Sequence, residues 1–345
     1  MKKKIRVQTA STSLERHILH VVKYFTQFQY PPTLEEIWMF LPIKISKKAL
    51  NSELKHLIKV KKIIEKEVQV SAFAFLDQYL TSKISAFIRN FVRYTLRGYS
   101  TYFDVYADRT VYAENKWNIA IKYTSVIKYV PWVLMVGISG SLSMLNTSQK
   151  DDVDLCIITR KNRLWLGRFS TSLIASIMGI RRKRGDKHVN NKICLNLYFD
   201  AKELYIPDHK HTEYIAHEVL QLKPIIDKNL AYENFLKVNK WVFDFFPNAK
   251  KSITNYGLRI TNQNIINCHA ELDSVSRGFK MRSLSPQGTI HFVGSQFGMT
   301  WVGDIIEILL KHLQLFLINR HRTTEIITDT QLWFYPHDYE KKLKK

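Results

Sequence analysis

The sequence predicts an α/β (α+β) protein with a mixed sheet, on three observations. Two apolar runs of strand length, Val133–Ile138 and Leu155–Ile158, frame a polar excursion. Stretches with apolar residues three and four apart flank them on both sides. Ahead of all this, three short helical patterns and a β-rich pair stand in the order of a winged helix.

The N-terminal unit is assigned to residues 1–75. Leu14, Ile18, Val21, Phe25 and Phe28 mark an amphipathic helix that Pro31-Pro32 ends. Thr33-Leu34-Glu35-Glu36 is a capping box opening a second helix through Trp38, Met39 and Phe40. Ser46 caps a third, with Leu50, Leu54 and Leu57 inward, and Lys62-Ile63-Ile64 and Val68-Gln69-Val70 follow as the two strands of a ribbon. Lys47, Lys48, Lys55 and Lys59 give the third helix a basic face suited to RNA or DNA phosphates, although winged helices also dock proteins.

Residues 76–130 read as connecting helices. Phe73, Phe75, Tyr79, Phe87, Phe91, Tyr94, Tyr99, Tyr102, Phe103, Tyr106 and Tyr112 alternate there with Arg89, Arg93, Arg97 and Arg109. Aromatics at this spacing serve either as helix core or, with the arginines, as stacking platforms for bases.

The core is assigned to residues 131–205. Asp152 and Asp154 fall on one face of a strand because side chains alternate, and two such charges are stable together when a hard cation collects both. Gly140 lets backbone N–H groups approach a phosphate, and the Ser141 hydroxyl adds a donor. Together these residues outline a metal and triphosphate site. The next strand, Lys192–Asp200, turns Cys194, Asn196, Tyr198 and Asp200 to one face, with Asn196 best placed beside the aspartates and Asp200 roughly 13 Å further on. Between the strands, Leu164, Trp165, Phe169, Leu173, Ile174 and Ile177 mark a helix with Arg163 and Arg168 near its start, suited to a triphosphate or a nucleic acid strand. The block Arg181–Arg184 is either a solvated helix end or an anion site.

Gly140-Ser141, a ten-residue gap and Asp152-Val153-Asp154 before an apolar strand resemble the signature of the polymerase-beta-type nucleotidyltransferase superfamily. The likeness extends to Tyr30-Pro31-Pro32-Thr33-Leu34, Arg163–Arg168, Lys192–Asn196 and Phe334-Tyr335-Pro336-His337-Asp338-Tyr339, an order that is similar to uncharacterised bacterial nucleotidyltransferase-like proteins. The resemblance implies Mg²⁺ at Asp152 and Asp154, ATP or another nucleoside triphosphate at the Gly140-Ser141 turn, and transfer of a nucleotidyl group to an acceptor; Arg163 and Arg168 join the nucleotide-binding set by their place at the helix start. It also implies a third carboxylate on the neighbouring strand, where this chain has Asn196. An asparagine ligates a cation without neutralising it and takes no proton from an attacking hydroxyl. Three readings therefore stand: an enzyme with catalytic residues Asp152, Asp154 and Asn196, a nucleic-acid-binding regulator whose transferase domain only senses nucleotide, or a docking protein that uses neither phosphate site.

Beyond the core, residues 206–262 read as helical, with helices over Glu213–Ile225 and Tyr232–Phe246. The pair His217-Glu218 is given no role, for want of a second ligand at a useful spacing. Residues 263–301, with Asn267–Ser276 and Gln296–Thr300, look like a translated DNA repeat inserted as a surface loop, and Cys268 and His269 lack partners for a metal. Residues 302–345 read as a helix, Ile305–Phe316, and a basic tail.

Composition agrees with a protein that handles polyanions. The 345 residues carry a net charge of +22 and are 46% apolar, enough for two or three domains. Three cysteines point to a reducing compartment, not to a disulfide scaffold. Glu15, Arg16 and His17 interrupt the segment after Lys2-Lys3-Lys4, and no apolar run reaches the roughly 18 residues of a spanning helix. A cytoplasmic protein with no membrane partner is expected.

Overall fold

Three N-terminal helices, α1 (Lys2–Thr26), α2 (Leu34–Met39) and α3 (Lys47–Lys59), open the computed structural model, which describes residues 2–70, 89–250, 301–320 and 322–334. Caps written in the sequence start the second and third. The Thr33 hydroxyl accepts from Glu36 N at 3.3 Å while Thr33 N donates to the Glu36 carboxylate at 2.7 Å, and the Ser46 hydroxyl accepts from Ala49 N at 3.2 Å. Ile18, Val21, Val22, Phe25, Leu50, Leu54 and Leu57 are buried between the helices. Lys47, Lys48, Lys55 and Lys59 are exposed on α3.

The ribbon differs from expectation. Residues 63–64 and 68–70 belong to one strand, β1 (Ile63–Val70), whose antiparallel partner is β2 (Arg89–Leu96). Glu65, Lys66 and Glu67 are exposed within it and do not break it. Phe91 and Tyr94 are thus on a strand, not a connecting helix, because a spacing of three satisfies neither period uniquely. Arg93 does not face solvent for base stacking: it is 2% exposed, lies 3.9 Å from the Tyr106 ring, and donates to Pro31 O at 2.7 Å and to the Tyr106 hydroxyl at 2.8 Å. Phe73, Phe75, Tyr79 and Phe87 lie outside the described residues.

Helix α4 (Thr101–Ile127) buries Phe103, Tyr106, Thr110, Ala113, Trp117, Ala120, Tyr123 and Ile127 and leads to the main sheet. In chain order follow β3 (Val133–Ile138), the single turn α5 (Gly140–Ser143), β4 (Val153–Thr159), α6 (Leu164–Ile177), β5 (Ile193–Asp200), α7 (Glu213–Gln221), β6 (Lys223–Asp227), α8 (Ala231–Val238), α9 (Val242–Phe245), α10 (Trp301–Asn319), β7 (Ile326–Ile327) and β8 (Gln331–Trp333). The six-stranded sheet has the order β6-β3-β4-β5-β8-β7, with β4 and β5 parallel and the other neighbours antiparallel. The protein is therefore mixed α/β, as the two apolar runs predicted. Strands β3 and β4 are buried nearly throughout, which explains their near-continuous apolar sequence.

Three predicted elements are corrected. The helix expected to reach Ile225 ends at Gln221, and Pro224 sits in edge strand β6, where a missing N–H is tolerated. The helix expected over 232–246 breaks at Asn239, whose buried amide donates to Leu204 O at 2.9 Å and accepts from Ile206 N at 2.9 Å. The basic tail after α10 contributes β7 and β8, short strands that pair beyond β5. Residues 263–300 lie outside the described residues, as do 335–339, the remainder of the motif that begins at Phe334.

One hydrophobic core joins residues on both sides of position 75, where a separate domain was expected to end. Its junction is His217 of α7, stacked between Tyr24 at 4.1 Å and Phe40 at 4.0 Å. Burial holds this imidazole well below its ordinary pKa, hence neutral. Among the described residues no helix is long and apolar enough to cross a membrane.

Candidate metal and nucleotide site

The end of β3, the start of α5 and the start of β4 meet in a cleft of about 410 Å³ that Gly140, Ser141, Asp152, Asp154 and Asn196 line together. Gly140 has φ +63°, the left-handed region, and a Cβ there would lie 3.0 Å from Asp154 Oδ2. Glycine is thus what lets the turn lie against the aspartate. Gly140→Ala is expected to cost about 1–2 kcal/mol through backbone strain alone. A lowered denaturation midpoint checks this, and an unchanged one contradicts the strained turn.

Strand register gives a place to a residue the sequence left without a role. Asp154 pairs with Cys194 across the parallel ladder, and a register shift after Leu155 leaves Asn196 as the extra residue of β5. Asn196 Nδ2 donates to Asp154 Oδ1 at 2.8 Å, so this asparagine orients the aspartate. Its Oδ1 is buried with no hydrogen-bond partner. One ligand atom each from Asp152, Asp154 and Cys194 lie within 4.8 Å of one another.

Two charged residues complete the cleft. Arg182 pairs with Asp152 and reaches Cys194 Sγ at 3.6 Å, so part of the basic block faces inward. Glu218 of α7, given no role from sequence, lines the cleft and accepts from the Gly140 N–H. Burial raises Asp154, with Asp152 adding to the effect, and burial raises the Cys194 thiol above its usual value.

Burial lifts Glu218 from 4.5 to about 7, the Gly140 N–H partly opposing the shift. The folded chain therefore holds a proton that the unfolded chain releases across that window, and stability falls as pH rises through it. Glu218→Gln keeps an acceptor for Gly140 and removes the buried charge. The variant is expected to be more stable than the parent by roughly 2–3 kcal/mol at pH 8, the gain vanishing toward pH 4. Melting curves across that range test it, and a pH-independent difference contradicts the assignment.

The donor set fits a hard divalent cation. Asp152 and Asp154 offer carboxylates, and the unpartnered Asn196 oxygen is a third hard donor. The protonated Cys194 thiol is a poor ligand for Mg²⁺.

Arg163 and Arg168, expected on the triphosphate, are not brought to this cleft. Arg163 is buried and pairs with Asp304 at 2.7 Å, and the N–H groups of Trp165 and Leu166 at the start of α6 donate to Glu307 at 2.7 and 2.8 Å. The helix start that a phosphate would favour is thus filled by a carboxylate of α10. Arg168 Nη1 donates to Gln314 Oε1 at 2.6 Å. Asp200 accepts from Lys202 N at 2.8 Å at the far end of β5.

Lys116 was also missed. It is 1% exposed, and its ammonium donates to Gln149 O, Asp151 O, Asn190 Oδ1 and Asn191 Oδ1 at 2.7–3.2 Å, which ties the loop before Asp152 to the loop before β5. Tyr24 and Phe28 of the N-terminal unit, with Tyr214 and Phe334, give the cleft an aromatic wall. Comparison of the chain with protein-family profiles, with curated proteins and with solved structures gives no match.

Proposed function

We propose that the protein is a Mg²⁺-dependent nucleotidyltransferase that moves a nucleotidyl group from a nucleoside triphosphate, ATP as first candidate, to an acceptor hydroxyl. The observation that carries this reading is the contact of the Gly140 turn with Asp154, which sets a phosphate-sized backbone notch against a pair of carboxylates in one cleft. Asp152 and Asp154 would hold the cation, which when bound supplies charge neutralisation for the triphosphate. Ser141 offers donors to phosphate oxygens, and Gly140, whose own N–H goes to Glu218, keeps the turn free of a side chain there. Asn196 keeps the Asp154 carboxylate turned into the cleft. Glu218, half-protonated near neutral pH, is suited to take the proton of the acceptor hydroxyl. The aromatic wall of Tyr24 and Phe28 suits a nucleobase, and the lysines of α3 suit a nucleic acid acceptor.

Incubation with nucleoside triphosphates labelled at the α-phosphorus, Mg²⁺ and cellular RNA or protein tests this. Covalent label on an acceptor is the expected result. The absence of a carboxylate at Cys194 and Asn196, together with Arg182 already on Asp152, favours a second reading, a nucleotide sensor without turnover. Nucleotide-dependent thermal stabilisation without label transfer would select it. With neither result, both readings fail.

A further inference from the structure

A second cavity, of about 510 Å³, adjoins the first and shares with it Arg182, Cys194, Asn196 and Phe334. Among the described residues its lining carries Arg168, Arg181, Arg182, Lys183 and Arg184 with the acids Asp186 and Glu325, and Arg182 also pairs with Asp152 of the first cleft. Both acids are engaged: Glu325 pairs with Arg184 at 3.2 Å and Asp186 with Lys192 at 2.8 Å. Arg168 lacks such a partner. Its guanidinium meets the neutral Gln314 amide and the Phe334 ring, at 4.8 Å, and pairs with no carboxylate among the described residues. Burial pulls it down to about 10, which leaves it charged at neutral pH. A half-buried cation with no counter-charge among the described residues is costly, and a ligand anion removes that cost.

We propose that this second cavity binds the phosphate group of a ligand of about nucleotide size, with Arg168 and Arg181 as its principal cations. The volume suits such a ligand. Arg182 stands in the wall common to both cavities, so an anion in the second and Asp152 in the first draw on the same guanidinium. The second cavity thus receives a phosphorylated acceptor next to the donor cleft, an assignment that rests on the transferase reading.

Inorganic pyrophosphate, titrated into the full chain by calorimetry in buffer freed of divalent ions, tests the site without nucleotide or transfer chemistry. A failure here leaves the transferase reading standing, and a failed transfer assay leaves this site standing. Arg168→Gln is expected to weaken pyrophosphate binding by about tenfold or more, since a charge-assisted bond is lost. Arg181→Gln, at a half-buried rim position, is expected to weaken it severalfold and keeps the test valid if the Arg168 variant fails to fold. Asp154→Asn is expected to leave the affinity within about twofold. Unaltered binding in the folded arginine variants, no binding to the parent, or a loss in Asp154→Asn equal to that in Arg168→Gln overturns the proposal. Competition by a 5′-phosphorylated but not a 5′-hydroxyl RNA oligonucleotide assigns the phosphate to a nucleic acid end. Pyrophosphate binding that neither oligonucleotide disturbs assigns it to a small phosphorylated molecule, and either supports the site.

Discussion

Asp154→Asn is expected to reduce label transfer by about 10³-fold or more, roughly 4 kcal/mol of lost transition-state stabilisation. The substitution is nearly isosteric and keeps an oxygen that accepts from Asn196 Nδ2, so the strand pairing about it is undisturbed. What it removes is one of the two aspartate carboxylates that line the cleft, the one against the Gly140 turn. Because burial and the neighbouring Asp152 raise Asp154, its ionised form is the one the folded chain tolerates least, and the amide relieves that cost. The melting temperature of the variant should therefore match or exceed that of the parent without divalent ions. Single-turnover transfer and a melting curve on the same preparation separate the two effects. Transfer within tenfold of the parent would show that the cleft's charge pair takes no part in the chemistry.

Lys116→Met should lower stability by about 3–5 kcal/mol, the second large effect. Methionine matches the apolar stem but offers no donor, which strands carbonyl oxygens of Gln149, Asp151, Asn190 and Asn191 in a site 1% exposed. Two of those carbonyls belong to the loop that delivers Asp152, so the loss loosens the cleft as well as the fold. Chemical denaturation measures the first consequence. A loss below about 1 kcal/mol would mean that water replaces the ammonium and the tie is dispensable.

The central strands and the Gly140-Ser141 turn were legible because each rests on a local rule: apolar continuity for a buried strand, alternation for Asp152 and Asp154, a missing Cβ where backbone and carboxylate touch. Cys194 and Glu218 were not. Cys194 depends on the register of a parallel pair, which no local pattern specifies, and on an extra residue in β5. Glu218 reaches Gly140 from a helix far along the chain, and its neighbour His217 masked it by suggesting a pair. On the backbone those neighbours are adjacent, yet one enters the aromatic cluster and the other the cleft. Arg163 misled for the opposite reason, since position at a helix start suggested a phosphate while Asp304 and Glu307 of α10 already fill that end. Strand β2 was hidden by aromatics whose spacing suits two periods.

Helix α7 has a wider consequence. Through His217 it is wedged among Tyr24, Phe25, Phe40 and Phe246, and through the very next residue it touches the glycine turn. One rigid turn of helix is thus a lever with an arm at each end. A ligand in the cleft that moved Glu218 would strain the packing of His217 on Tyr24 and Phe40, and by reciprocity a change in that packing would alter the affinity of the cleft.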